Sequence, residues 1–467
     1  MVLHKNSSCK ICINEEKIIL LIMFLIFINQ IVIILTERKV FTYIIFTFII
    51  LSCLLKKNNS INQLFIFLFL PDKYLQVIGC VFFTIIICIR NPRIIKQTIL
   101  AKDTFEYLFF AFGAALINCI DGSGNFIVGL IQWCVYILIF ILIKYSKEFT
   151  KCINIKLLDY FFIIEIITGI SQFFILHEKF DAITGTLYSA HWYGAFIITY
   201  GYCKFCMTKY KKNFILYLLI ISFMLYLCDA KHVYLCFFVA LSVNWLLKLF
   251  KIKKKILFSW ITISIFIGIL VFIFTVIENK GSSNNALIKA YVLNPLYNKK
   301  YVFFKNTFKE LLSYHGLIGN GVGFYGSQIC LTMAKGIIYS WQNISSFFTI
   351  AAEPYKVAIN GVMTQWYVET GISISSMVLG YPLVSIIALI AENGFIGLIL
   401  LSKAIENLMG EYKDATLFIM LFILCFFDTY FEIPCITVLI IIYQCIISNY
   451  YKDNINCIRT SKSYIYK

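Results

Sequence analysis

An all-α, polytopic integral membrane fold is predicted by three observations. The chain of 467 residues is 60% apolar and 17% aromatic, and its mean hydropathy is +0.83, which lies outside the range of soluble domains. Its apolar residues fall in long runs joined by short charged turns, and a span needs about 20 such residues. One semi-polar stretch, 278–384, interrupts the pattern late in the chain. The expectation is about 12–14 transmembrane helices with one large external loop. On that division 1–277 is an N-terminal bundle of about 11 spans, 278–384 the loop with short helices, and 385–467 the C-terminal helices and a cytoplasmic tail.

The apolar runs fall near 18–35, 40–55, 61–70, 74–89, 105–120, 126–145, 157–176, 188–203, 213–228, 233–250, 256–277, 385–401, 415–431 and 435–450. The first is followed by Thr36-Glu-Arg-Lys39 and not by a small-residue cleavage site, so it reads as a retained span. The third stops at Pro71 and is short for a crossing. It fits a half-helix, a re-entrant piece or a span extended into 58–60.

Charge gives the orientation. Lys and Arg number 41 against 24 acidic residues, a net +17. In a soluble chain that excess would suggest nucleic acid. Here it sits in alternate turns: Arg90, Arg93, Lys96 and Lys102; Lys144, Lys147, Lys151 and Lys156; Lys204, Lys209, Lys211 and Lys212; Lys248, Lys251 and Lys253 to Lys255. All share one face if the spans alternate, and the positive-inside rule makes that face cytoplasmic. Both termini then lie inside and the large loop faces outward, with no nucleic-acid partner.

The seventeen cysteines lie mostly inside apolar runs, where Cys behaves as a small hydrophobe. The pairs Cys9/Cys12 and Cys203/Cys206 have no second pair or His nearby, so neither a metal nor another cofactor is expected.

The external loop holds eight Lys and four Glu, a surplus of 8 − 4 = +4. Insertion does not select positive charge on that side. An anionic ligand such as a lipid pyrophosphate would explain it, as would contact with anionic membrane lipid. Lys305–Tyr314 has helical spacing and is ended by Gly316-Leu-Ile-Gly319-Asn-Gly321-Val-Gly323, a run that permits close approach to a ligand or a helix. Residues 362–378 form an amphipathic pattern that carries Glu369. His315, the single His of the loop, can serve as a base or simply end a helix. Glu392 lies inside a span, where a carboxylate is costly unless it faces a cavity or a partner.

Four segments, in this order, resemble the O-antigen polymerase/O-antigen ligase superfamily of membrane glycosyltransferases. The first is Thr184-Gly-Thr-Leu-Tyr-Ser-Ala-His-Trp-Tyr-Gly194, with His191 where that family usually has Asn. The second is Asp229-Ala-Lys231-His232, where Ser-Arg is common. The third runs from Lys300 to Gly323 and Phe324, similar to an Arg-led helix entering a glycine run. The fourth is Ser385 to Gly397, similar to the "E.G..G" opening of the span after the loop. The match covers the chain from about Thr184 onward. Two departures stand out. Lysines replace the loop arginines, supplying charge without the two-pronged donor. The ligases' His-Asn pair is absent at Tyr381 to Ser385, which favours polymerase.

The resemblance implies a GT-C-like enzyme of the bacterial inner (cytoplasmic) membrane with a periplasmic loop. It would be a metal-independent glycosyltransferase polymerising undecaprenyl-pyrophosphate-linked repeat units into O-antigen (lipopolysaccharide) or capsular polysaccharide. Its partners would be the lipid-linked glycan, a chain-length regulator and a flippase. Lys231, Lys300 and Lys299 would bind the pyrophosphate, His315 and Glu392 would be catalytic, and His191 and Glu369 would line the cavity or bind the acceptor. Ligase-type transfer to a lipid or protein acceptor, a lipid-linked oligosaccharide flippase, and a transporter for another solute are the alternatives.

Overall fold

The computed structural model describes residues 21–33, 40–55, 61–118, 123–175, 183–252, 314–323, 385–409, 414–425 and 436–450, apart from 23, 154, 188 and 208–210. These residues are all-helical, with no strand among them. The helices are α1 (Phe24–Ile33), α2 (Val40–Leu55), α3 (Ile61–Leu68), α4 (Lys73–Arg90), α5 (Pro92–Ile99), α6 (Lys102–Asn118), α7 (Ser123–Lys144) and α8 (Ser146–Cys152). They continue as α9 (Ile155–Phe174), α10 (Ala190–Met207), α11 (Lys211–Leu227), α12 (Lys231–Leu249), α13 (Tyr314–Ile318), α14 (Ser385–Met409), α15 (Thr416–Leu424) and α16 (Ile436–Tyr450).

Among the described residues three helices are long and apolar enough to cross a membrane: Lys156–Phe174, Lys231–Leu249 and Ala388–Met409. Other apolar helices, such as Phe41–Leu54 and Gly129–Lys144, are shorter. Their outward residues are those of a chain solvated by lipid. Along α11, Ile215, Leu216, Leu219 and Tyr226 are each more than 60% exposed, and along α12 Phe238 and Trp245 are 61% exposed. Burying such faces in hydrocarbon gains about 25 cal/mol per Å² over water, so membrane association follows from the exposed surface as well as from composition.

The chain folds into two compact units that interleave along the sequence. The first comprises 1–90, 145–235 and 434–467. Its core is aromatic. Phe69, just past α3, stacks on Phe161 of α9 at 4.1 Å and meets Phe196 of α10 edge-on at 5.1 Å. Tyr200 of α10 stacks on Phe162 at 4.0 Å and lies perpendicular to Tyr443 of α16. Every residue of helix α3 is buried within the unit, and 58–60, into which one reading extends the third run, lie outside the described residues. Polar bonds hold the helix ends. The Arg90 guanidinium donates to the carbonyls of Cys53 and Leu54 at the end of α2, and Asp72 Oδ1 accepts the N–H groups of Tyr74 and Leu75 at the start of α4.

The second unit comprises 91–144 and 236–433. Here α14 packs along α6. Its Lys403 ammonium reaches Asp103 at 3.0 Å and Glu106 at 3.2 Å, so the last turns of α14 lie beside the first turn of α6. The turn into α15 is pinned by Asp414, which accepts the Thr416 N–H at 2.9 Å and pairs with Lys248 at 3.2 Å, while Asn244 donates to the Thr416 hydroxyl at 2.8 Å. Burial alone would raise the Asp414 carboxyl, but Lys248 and the Thr416 N–H and hydroxyl together hold it below its ordinary value. A carboxyl lowered on folding adds stability above its unfolded pKa of about 3.9 and loses it as pH falls through the lower folded value. Asp414→Asn is therefore expected to cost about 1–3 kcal/mol at neutral pH, with the gap to the parent closing below about pH 4. Thermal melts of the purified protein across that pH range check it.

Two stretches expected to be plain turns contain short helices, α5 and α8. All of 253–313 and 324–384, including the expected span 256–277 and nearly all of the external loop, lies outside the described residues.

Candidate functional site

The described parts of the four segments form two clusters, one in each unit, with 300–313 and Phe324 of the third outside the described residues. In the first unit, the segment beginning at Thr184 is a tight turn that enters α10. Gln172 Oε1 accepts the N–H groups of Thr184 and Gly185, both at 2.9 Å, and its Nε2 donates to the Gly185 carbonyl at 3.0 Å. Glu165 accepts the Thr186 N–H through Oε2 at 2.8 Å and the Thr186 hydroxyl through Oε1. The Tyr193 hydroxyl donates to the Glu165 carbonyl at 3.0 Å. Helix α10 then starts with the His191 N–H donating to Ser189 Oγ.

Opposite this start lies the second segment. Gly194 fits against Ala230, and a Cβ at Gly194 would approach the Ala230 methyl to 2.6 Å. Asp229 adopts φ 48°, a left-handed conformation that Asp tolerates better than most residues and that clusters at functional turns. Its carboxylate pairs with Lys231 at 2.9 Å. The Lys231 side chain is 85% exposed, and an exposed pair of this kind is worth about 0–1 kcal/mol, so an anionic ligand can displace it. The His191 and His232 rings meet edge to face at 4.4 Å. One patch thus carries a cation and two imidazoles beside the first turns of α10 and α12.

In the second unit the glycine run meets the fourth segment. Gly319, Gly321 and Gly323 all have positive φ, alternating with Asn320 and Val322. Such alternation turns backbone N–H groups toward a common acceptor, the geometry that cradles anions. Here the acceptors belong to α14. Asn320 N–H donates to the Ala391 carbonyl and Gly321 N–H to the Glu392 carbonyl, both at 2.9 Å, and Gly323 N–H donates to Glu392 Oε1 at 3.1 Å. Those carbonyls are open because the helix breaks at Gly394, where φ is 62° and ψ −178°. A Cβ there would lie 2.3 Å from the Gly319 nitrogen. Gln132 of α7 donates to Glu392 Oε2 at 3.3 Å, and the Tyr107 hydroxyl to Asn393 Oδ1 at 3.0 Å.

This geometry bears on two expectations. The N–H groups of the glycine run are bonded to α14, which is the helix-approach reading of that run. Glu392 is 1% exposed and receives donors on both oxygens, which makes it a holder of the loop. His315 lies on α13, directly before the run. Lys299, Lys300 and Glu369 fall outside the described residues. Sequence reasoning passed over Glu165, Gln172 and Gln132. All three are polar groups within apolar runs, and that position was the available signal.

The chain matches no family model, no curated protein and no solved structure.

Proposed function

We propose that this chain is a membrane glycosyltransferase that polymerises undecaprenyl-pyrophosphate-linked repeat units into O-antigen or capsular polysaccharide at the outer face of a bacterial inner membrane. One observation carries the reading. The segments of the resemblance, scattered over two hundred positions, pair in space: the first with the second through His191 and His232, the third with the fourth through Asn320–Gly323 and Ala391–Glu392.

In this reading the acceptor sugar hydroxyl forms a bond to the anomeric carbon as the bond from that carbon to phosphate breaks. The electron pair leaves on the lipid diphosphate. Lys231 stabilises that departing charge, and His191 beside it contributes a hydrogen bond. Lys299 and Lys300 have the same cationic role from the external loop. The proton of the acceptor hydroxyl passes to a base on the protein. The resemblance gives that base role to His315 and an acceptor-binding role to Glu369. No step calls on a cofactor.

The test is a chromosomal deletion complemented with variants, with the surface glycan resolved on a gel. The deletion is expected to leave single-repeat material. A flippase defect leaves no external repeat, and a ligase defect leaves long chains on the carrier lipid. Lys231→Ala is expected to reduce the ladder by about tenfold or more, the loss of one charge-assisted contact to phosphate. A normal ladder from both Lys231→Ala and Lys300→Ala would remove the assigned pyrophosphate site.

A further inference from the structure

We propose that Glu165 and Gln172 act as a two-residue clamp that positions His191 beside His232 and Lys231. The effect on glycan transfer rests on the function proposed above; the positioning itself does not. The two residues are seven apart on α9, two turns along one helix face. Between them they receive three consecutive backbone N–H groups, those of Thr184, Gly185 and Thr186. A turn at the end of a membrane helix has to satisfy those donors, and here the neighbouring span does so with side chains.

Three features argue for placement over simple packing. Glu165 is fully buried in a candidate span, where a carboxylate is far costlier than an aliphatic residue of the same size and marks a functional demand. The fit around it is close, since a Cβ on Gly185 would sit 2.1 Å from Glu165 Oε2. The same residue also holds the first turn of α10, through its backbone carbonyl and the Tyr193 hydroxyl. Turn and helix start are therefore fixed at one point of α9, and His191 lies between the two attachments.

The experiment reads His191 placement without reference to catalysis. His191→Cys and His232→Cys are introduced together in the full-length protein in native membranes. Copper-phenanthroline oxidation then forms the cross-link, which is quantified as the joined peptide by mass spectrometry. The parent is expected to cross-link readily. Glu165→Gln, which still accepts the Thr186 N–H, should match it within about twofold, and Glu165→Ala should be about tenfold slower. Thr186→Val, which removes the hydroxyl and keeps the N–H, should fall between, and it carries the test if Glu165→Ala does not accumulate. Equal rates in parent, Glu165→Ala and Thr186→Val would overturn the clamp. Glycan ladders are run on the Glu165 variants with both histidines intact. Slow cross-linking with a normal ladder would uphold the clamp and remove His191 from the transfer site; slow cross-linking with a lost ladder would uphold both.

Discussion

Gly321→Ala is expected to destabilise the second unit by about 2–5 kcal/mol and, on the function proposed above, to abolish polymer formation. Two costs combine. The residue sits at φ 89°, where a side chain adds about 1–2 kcal/mol of strain. The new methyl would also lie 2.4 Å from the Ala115 Cα and 2.6 Å from its nitrogen. Backbone atoms of a packed helix cannot yield as a flexible side chain would, and overpacking of this kind costs roughly 1–3 kcal/mol or more. Leu317, four residues earlier and half exposed, supplies the control: Leu317→Ala should change stability by about 0.5 kcal/mol or less. Thermal unfolding in one detergent, with the ladder scored in parallel, decides the matter. A Gly321→Ala protein that melts with the parent would mean that the glycine run does not pack against α6 as described.

The second large effect separates two roles for Glu392. Glu392→Ala leaves the Gly323 N–H and the Gln132 amide without that acceptor in a buried setting, a loss of about 2–4 kcal/mol. Glu392→Gln keeps an oxygen for the Gly323 N–H, and the Gln132 amide can turn to suit its new neighbour. Its stability and its ladder are both expected to stay near those of the parent. Were Glu392 a proton acceptor in transfer, the glutamine variant would instead fold normally and lose the ladder. Melting temperature and ladder length, measured on the same two variants, therefore distinguish a holder from a base.

Helix positions were readable from hydropathy alone where runs were long and uniform: α2, α6, α7, α9 and α12 lie within a few residues of the apolar stretches that announced them. The short helices α5 and α8 were not, because Pro92–Ile99 and Ser146–Cys152 are polar and charged, and composition of that kind reads as a turn. The break at Gly394 was hidden for the opposite reason. The helix continues apolar on both sides, so periodicity carries straight through it. The candidate site shows the same division. Lys231, His191 and Glu392 were visible as polar residues at span ends or within spans. Their partners were not, since His191 and His232 are 41 positions apart, counted as 232 − 191, and Asn320 and Ala391 are 71 apart. No local pattern encodes such pairs. Glu165 carries the same signal as Glu392, being a carboxylate inside the run 157–176.

The break at Gly394 also bears on biogenesis. A helix with carbonyls opened at Ala391 and Glu392 is a poor substrate for lateral release into hydrocarbon, where each unbonded peptide group is penalised by several kcal/mol. The residues that quench those groups, Asn320 and Gly321, each leave the ribosome 71 positions ahead of their acceptors, Ala391 and Glu392. At about 5–20 residues per second, they emerge some seconds before α14 needs them. The order of synthesis thus delivers the bonding segment first and its interrupted helix second, so a circular permutation that reversed the two would be expected to stall insertion while leaving every native contact available.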